Sequence, residues 1–170
     1  MINFDYYIHM KQTLLIIALF IGLGNVNAQS DATLEETKEW LEIYGSKLIQ
    51  DPDKSFIDYE LDFDGNKIMI SYKWTRDGNV YKRTISDFKS IKRVKYYPAD
   101  SHFEILIIAG EGYRTNTEGN VVKDSDISFG LEFTTKENAT KIYNALKHLY
   151  SFYEDCNPKF ENKVELENKF

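Results

Sequence analysis

Hydrophobic and polar positions alternate with period two through much of the chain. Ile57, Tyr59, Leu61 and Phe63 interleave with Asp58, Glu60 and Asp62, and Ile68, Ile70, Tyr72 and Trp74 with Met69, Ser71 and Lys73. Such alternation predicts half-buried strands with one apolar face. Val80–Phe88 and Ile91–Tyr97 continue less cleanly. Phe103–Ala109 is apolar on both faces, the pattern of a central strand, and a short strand is expected near Val121-Val122. Ile127, Phe129, Leu131 and Phe133 restore the alternation. Between strands one device recurs: Asp64-Gly65-Asn66, Asp77-Gly78-Asn79 and Glu118-Gly119-Asn120. An acid, a glycine and an asparagine put residues tolerant of positive φ where tight hairpins need them. Sequential strands joined this way predict an antiparallel meander rather than βαβ units.

Two segments switch to helical spacing. Thr33-Leu34-Glu35-Glu36 reads as a capping box, and Glu35, Glu36 and Glu39 place negative charge where the helix dipole favours it. Leu34, Thr37, Leu41, Tyr44 and Leu48 then share a face; Gly45 weakens or ends the helix and Asp51-Pro52-Asp53 stops it. The second helix follows the last strand directly. Thr134-Thr135-Lys136-Glu137 offers another capping box, and Ala139, Ile142, Tyr143, Leu146, Leu149, Tyr150 and Tyr153 form an apolar stripe. The fold class expected is α+β: an N-terminal helix, an antiparallel six- to seven-strand meander or barrel, and a C-terminal amphipathic capping helix.

The first residues read as an address. Lys11 precedes the ten-residue apolar run Leu14–Leu23, and Val26-Asn27-Ala28 ends it. A basic start, a short apolar core and a small-x-small site describe a cleaved export signal. Crossing a bilayer as a helix takes about 20 residues, so no membrane span is expected. Residues 1–28 are therefore set aside as a signal peptide, with translation able to begin at Met10. A single α+β domain is expected over 29–153 and a loosely docked polar tail over 154–170. Secretion or a periplasmic location follows from cleavage near Ala28.

The 142 residues left after position 28 (170 − 28) suffice for one domain with its own core. The net charge of −6 argues against a general nucleic-acid binder. Cys156, the single cysteine, allows no internal disulfide.

Candidate chemistry is sparse. Asp62-x-Asp64-Gly65-Asn66 glances at a calcium loop, but the glycine comes too early and Lys73 stands where the twelfth ligand should be. His102 and His148 lack partners at metal-ligand spacing, and no nucleophile elbow, phosphate loop or zinc motif occurs. Neither a cofactor nor a catalytic residue is assigned. Asp58, Glu60 and Asp62, the carboxylates a hydrolase would have to cluster, share one strand face whose simplest role is contact with solvent. Basic residues gather between positions 82 and 95, so Arg83, Lys92, Arg93 and Lys95 form a candidate patch for an anion or acidic partner.

The element order, with strand Ile127–Phe133 handing over to an amphipathic helix, resembles the pleckstrin-homology-like superfold over about residues 55–153. That resemblance implies a seven-strand barrel closed at one end by its last helix. Many such barrels bind phosphoinositides through basic residues beside the first hairpin; here that hairpin is Asp62-Phe63-Asp64-Gly65-Asn66-Lys67, which argues against that ligand. A helix-grip fold, a curved sheet wrapped on a long helix, is the alternative. The function expected is an exported, non-catalytic binding module for a protein partner. The alternative is a carrier of a small apolar or lipid-like ligand, in a groove between sheet and helix marked by Trp74, Leu146 and Tyr150.

Overall fold

A computed structural model describes residues 32–115, 120–153 and 158–164. The expected export signal and Cys156 lie outside the described residues, as does most of the third acid-Gly-Asn turn. Helix α1 (Leu34–Trp40) opens on the capping box expected for it: the Thr33 hydroxyl accepts from the Glu36 amide at 3.3 Å, and the Glu36 carboxylate accepts from the Thr33 amide at 2.7 Å. The helix continues through a π-helical segment, Leu41–Gly45, and a last turn, Ser46–Leu48. Gly45 does not end it. A Cβ there would stand 3.1 Å from Cδ1 of Ile142, so glycine lets this helix lie close to the C-terminal one.

The strands follow as β1 (Phe56–Asp64), β2 (Lys67–Trp74), β3 (Val80–Ile85), β4 (Ile91–Pro98), β5 (Phe103–Ala109), β6 (Gly112–Thr115), β7 (Val121–Asp124) and β8 (Ile127–Phe133). Helix α2 (Lys136–Ser151) comes next, then β9 (Lys159–Asn162). The class is α+β, with sheets that are antiparallel apart from one pair. The strands form two sheets and no closed barrel: β1-β2-β3-β6-β7 and β8-β5-β4-β9. β1 to β3 are the expected meander, and Gly65 at φ +60 and Gly78 at φ +72 make its turns.

The chain leaves the first sheet at a corner. Asp87 caps a single 3-10 turn, Phe88–Ser90, and the Phe88 amide bonds to the Asn66 carbonyl at 2.9 Å. Phe88 is wholly buried against Phe63, Tyr150 and Tyr153, with ring centroids 5.2–5.9 Å apart. Burying that ring turns the backbone away from β3, and β4 starts the second sheet instead of extending the first. Later β6 returns to pair with β3. This excursion replaces the six- to seven-strand barrel.

Helix α2 covers the second sheet. Its start corrects the expected capping box: Thr135, not Thr134, is the N-cap and accepts from the Asn138 amide, while Thr134 bonds Gln50 and Glu137 pairs with Lys141 at 2.6 Å. Ala139, Ile142, Leu146 and Leu149 are buried against Val94, Ile105, Ile107 and Leu131 in one core. The Tyr96 hydroxyl pins the helix by bonding the Lys136 carbonyl at 3.2 Å. Among the described residues no helix is long and apolar enough to cross a membrane.

The expectation of a loosely docked tail from residue 154 fails over 158–164. β9 pairs in parallel with β4, Val164 is buried, and the Phe160 ring packs edge-on against Tyr143 and Tyr150. The hydrophobic effect of two apolar side chains and a row of ladder bonds hold a segment whose composition is polar.

Candidate functional site: an aromatic cleft edged by arginines

On β2 the side chains of Ile68, Ile70, Tyr72 and Trp74 fall on one face, because strand residues two apart point the same way. Ile68 and Ile70 are buried, whereas Tyr72 and Trp74 are only half-buried. The core-facing surface of the sheet thus continues past the core, with rings in place of aliphatic side chains. Register sets the neighbours: Phe56 on β1 lies across from Trp74, and Tyr81 on β3 across from Tyr72. The four rings interlock. Phe56 meets Tyr72 edge-on at 5.1 Å and stacks on Trp74 at 6.3 Å, while Tyr81 stacks on Tyr72 at 6.0 Å and meets Trp74 edge-on at 6.2 Å. Arg76 holds its guanidinium 5.8 Å from the Trp74 ring centre.

These rings floor an open cleft of about 360 Å³ whose far wall is made by Arg83 and Arg114. Arg83 on β3 stands directly across from Arg114 on β6. Like charges in register oppose each other and weaken a sheet. Arg83 donates from Nη1 to the Ser128 carbonyl, and among the described residues it has no carboxylate partner. Arg114 donates from Nε to Asp124 at 2.8 Å. At the opposite end the Tyr81 hydroxyl donates to Asp77 at 2.7 Å. That bond pushes the phenol of Tyr81 up and holds the carboxyl of Asp77 down.

A second, larger cleft of about 560 Å³ lies between the loop after α1 and the start of β1. It carries two residues in the left-handed region, Lys54 at φ 53 and Asp58 at φ 55. Its buried carboxylate, Asp51, is already occupied by the amides of Asp53 and Phe56. Its walls mix Lys47 and Lys54 with Asp51 and Asp58, so it shows no charge preference. The aromatic cleft is the better candidate because its rings and its charge point to one kind of ligand.

The expected basic patch is divided. Arg83 belongs to the first sheet and to the cleft, whereas Lys92, Arg93 and Lys95 are on β4 in the second. There Lys92 pairs with Asp126 at 3.0 Å and Arg93 with Glu161 at 3.5 Å, and Lys95 lies across from Glu161. Glu161 arrives on β9, so the docked tail supplies the carboxylate beside Arg93 and Lys95. A bond from Lys159 holds its carboxyl below the ordinary range.

The expected groove is divided as well. Leu146 and Tyr150 are buried in the core, with Tyr150 edge-on to Phe88 and Phe160, and Trp74 lies in the cleft on the other sheet. The carboxylates Asp58, Glu60 and Asp62 are exposed. His148 bonds the Ala32 carbonyl at 2.8 Å. Among the described residues no group of three or more His, Cys, Asp or Glu is placed to hold a metal.

A polar cluster sits elsewhere on the second sheet. Glu104 and Glu132 are directly opposed in the β5–β8 register. Tyr97 donates to Glu104 at 2.5 Å, and His102 lies 3.9 Å from Glu132. Gly130 makes room for the Glu104 carboxyl, which a Cβ would strike. Burial, and then Asp51, raise Glu132 above the ordinary carboxylate range; burial and Glu104 push the phenol of Tyr97 up.

Comparison with known protein families, with characterised proteins and with solved structures finds no match to this chain. The cleft itself is what bears on function.

Proposed function

We propose that this chain is an exported, non-catalytic binding module, secreted or periplasmic, whose recognition surface is the aromatic cleft on the first sheet. One observation carries the reading: Phe56, Tyr72, Trp74 and Tyr81 extend the core face of the sheet beyond the core, half-buried around an open cleft. Rings left part-wet on a strand face hold contact area ready for a ligand with little side-chain freedom to lose. A volume of about 360 Å³ is within the range of small-molecule pockets, roughly 300–1,000 Å³.

Binding is favoured over catalysis by the chemistry of the lining. Besides the rings it consists of Lys82, Arg83, Arg114 and Thr115. Guanidinium groups stay protonated and cannot pass protons at working pH. Such a wall orients charge.

The ligand thereby moves from the expected sheet–helix groove to the opposite sheet, because Leu146 and Tyr150 are committed to the core. The pleckstrin-homology-like likeness is proposed here as a similarity of element order, with β8 leading into α2.

Two tryptophans make the test direct, since Trp40 is buried and Trp74 lines the cleft. Titrating the full chain with ring-bearing small molecules should move the Trp74 indole resonance and leave that of Trp40 in place. Tyr81→Ala should abolish the shift. Ligands that move only Trp40 or the α2 resonances, or a panel that moves nothing, would sink the cleft.

A further inference from the structure

Resting on the cleft being the binding site, we infer that its ligand is an acidic saccharide, a pyranose chain carrying carboxylates. Three features of the cleft converge on that chemistry.

The first is charge. The whole chain carries −6, yet Arg83 and Arg114 concentrate positive charge at one end of the cleft. Directly opposed like charges disfavour a ladder, and Asp124 offsets only the Arg114 side; an anion between the two guanidiniums would pair with both, as in a clamp. Arg83 spends one N–H on a backbone carbonyl and Arg114 spends Nε on Asp124, so each fork keeps donors for a carboxylate.

The second is the floor. Trp74 and Tyr81 are half-buried and line the cleft with the arginines. Phe56 stacks on Trp74 and Tyr72 on Tyr81, and the Arg76 guanidinium over Trp74 would have to swing aside or bond the ligand itself. Tyr81 and Arg83 are two residues apart on β3, so their side chains leave one face of the sheet from Cα atoms about 6–7 Å apart. That separation suits a sugar ring stacked on the aromatic floor with its carboxylate reaching the clamp.

The third is openness. An aromatic acid, apolar at its edges, gains most from an enclosed slot that removes it from water. This cleft is open, and three hydroxyl-bearing residues line it, Tyr72, Tyr81 and Thr115, of which Tyr81 already donates its proton to Asp77. A pyranose has an apolar face and a hydroxylated perimeter, so it can stack on the rings while its rim stays hydrated or bonds those hydroxyls.

The test compares galacturonate trisaccharide with its methyl ester, which keeps shape and loses charge. Calorimetry on the full chain at low salt should show the acid binding at least about tenfold tighter, the size expected of one charge-assisted hydrogen bond. Arg83→Gln and Arg114→Gln should each erase most of that difference, with Arg83→Lys, which keeps the charge and loses the fork, in between. Unchanged thermal melting of these variants separates lost binding from lost folding. Equal binding of acid and ester overturns the inference, and so does acid preference that survives both glutamine substitutions. Tighter binding of a hexaglutamate peptide would make the partner an acidic peptide and overturn it too. If neither saccharide binds while other ring ligands still shift Trp74, the saccharide inference falls and the cleft stands; if nothing shifts Trp74, both fall.

Discussion

Gly112 on β6 and Ile127 at the start of β8 hold the two sheets together at a point with no room for a side chain. A Cβ on Gly112 would stand 2.6 Å from Cγ2 of Ile127 and 2.5 Å from the Thr84 carbonyl oxygen. Gly112 also lies in register with Ile85, so the tight contact fixes where β6 joins β3 and therefore where Arg114 faces Arg83.

Gly112→Ala should accordingly destabilise the protein by about 1–3 kcal/mol, the usual cost of overpacking a close-packed site. Adding Ile127→Ala should recover little. It relieves the side-chain clash, creates a cavity, and leaves the Thr84 carbonyl in place. Urea unfolding of the parent and these two variants measures this; a neutral Gly112→Ala would mean that the sheets part easily at this seam.

Leu146 tests the other layer. It is 2% exposed on the face of α2 that packs in the shared core. Leu146→Ala should cost about 2–5 kcal/mol by lost burial and the cavity left behind. A loss below about 0.5 kcal/mol in denaturant melts, the range of ordinary surface substitutions, would mean this face is not core.

Local pattern carried β2, β8 and both helices, because period two and period 3.6 are written in neighbouring residues, and β5 was legible as an apolar run. β1 keeps its alternation only from Tyr59, since a bulge at Ile57–Asp58 leaves Ile57 exposed and puts Phe56 across from Trp74. Sheet membership was not legible. It depends on Phe88 being buried at a corner and on four residues, Gly112–Thr115, inserting beside β3. Nothing adjacent to those residues announces either event. The cleft was half legible: Trp74 and Arg83 stood out, but assigned to different sites, because only the β2–β3–β6 register brings them together. Phe56, Tyr81 and Arg114 were missed. One signal was present, since Tyr72 and Trp74 keep the parity of Ile68 and Ile70 past the end of the core.

The tail supplies another such lesson and a prediction. Lys159, Glu161 and Asn162 gave it a polar composition that masked two apolar anchors, Phe160 and Val164. Ending the chain at Tyr153 removes both, exposes the edge of β4 and strips Arg93 of Glu161. The truncated protein should melt several degrees lower than the full chain, at roughly 2–4 °C per kcal/mol for a domain of this size. Phe160→Ala alone should reproduce part of the loss. Identical melting curves would mean that β9 adds nothing to the fold.

Glu132 sets a pH dependence of defined sign. Its carboxyl is raised from the ordinary 4.5 first by burial and then by Asp51, with His102 partly opposing. A raised acid binds more protons folded than unfolded between the two values, so stability falls as pH climbs through that window. Glu42, raised mainly by burial, adds in the same direction. The lowered carboxyls of Glu36, Glu137 and Glu161 act oppositely, and their stabilisation is lost only below about 4.5, as pH falls through their folded values. Above about pH 4.5 the raised pair therefore dominates among these carboxyls. Glu132→Gln, which cannot ionise, should melt higher than the parent at pH 7 and gain less on moving to pH 5. Parallel melting profiles for the two proteins across that range would show that Glu132 titrates as an ordinary surface carboxylate.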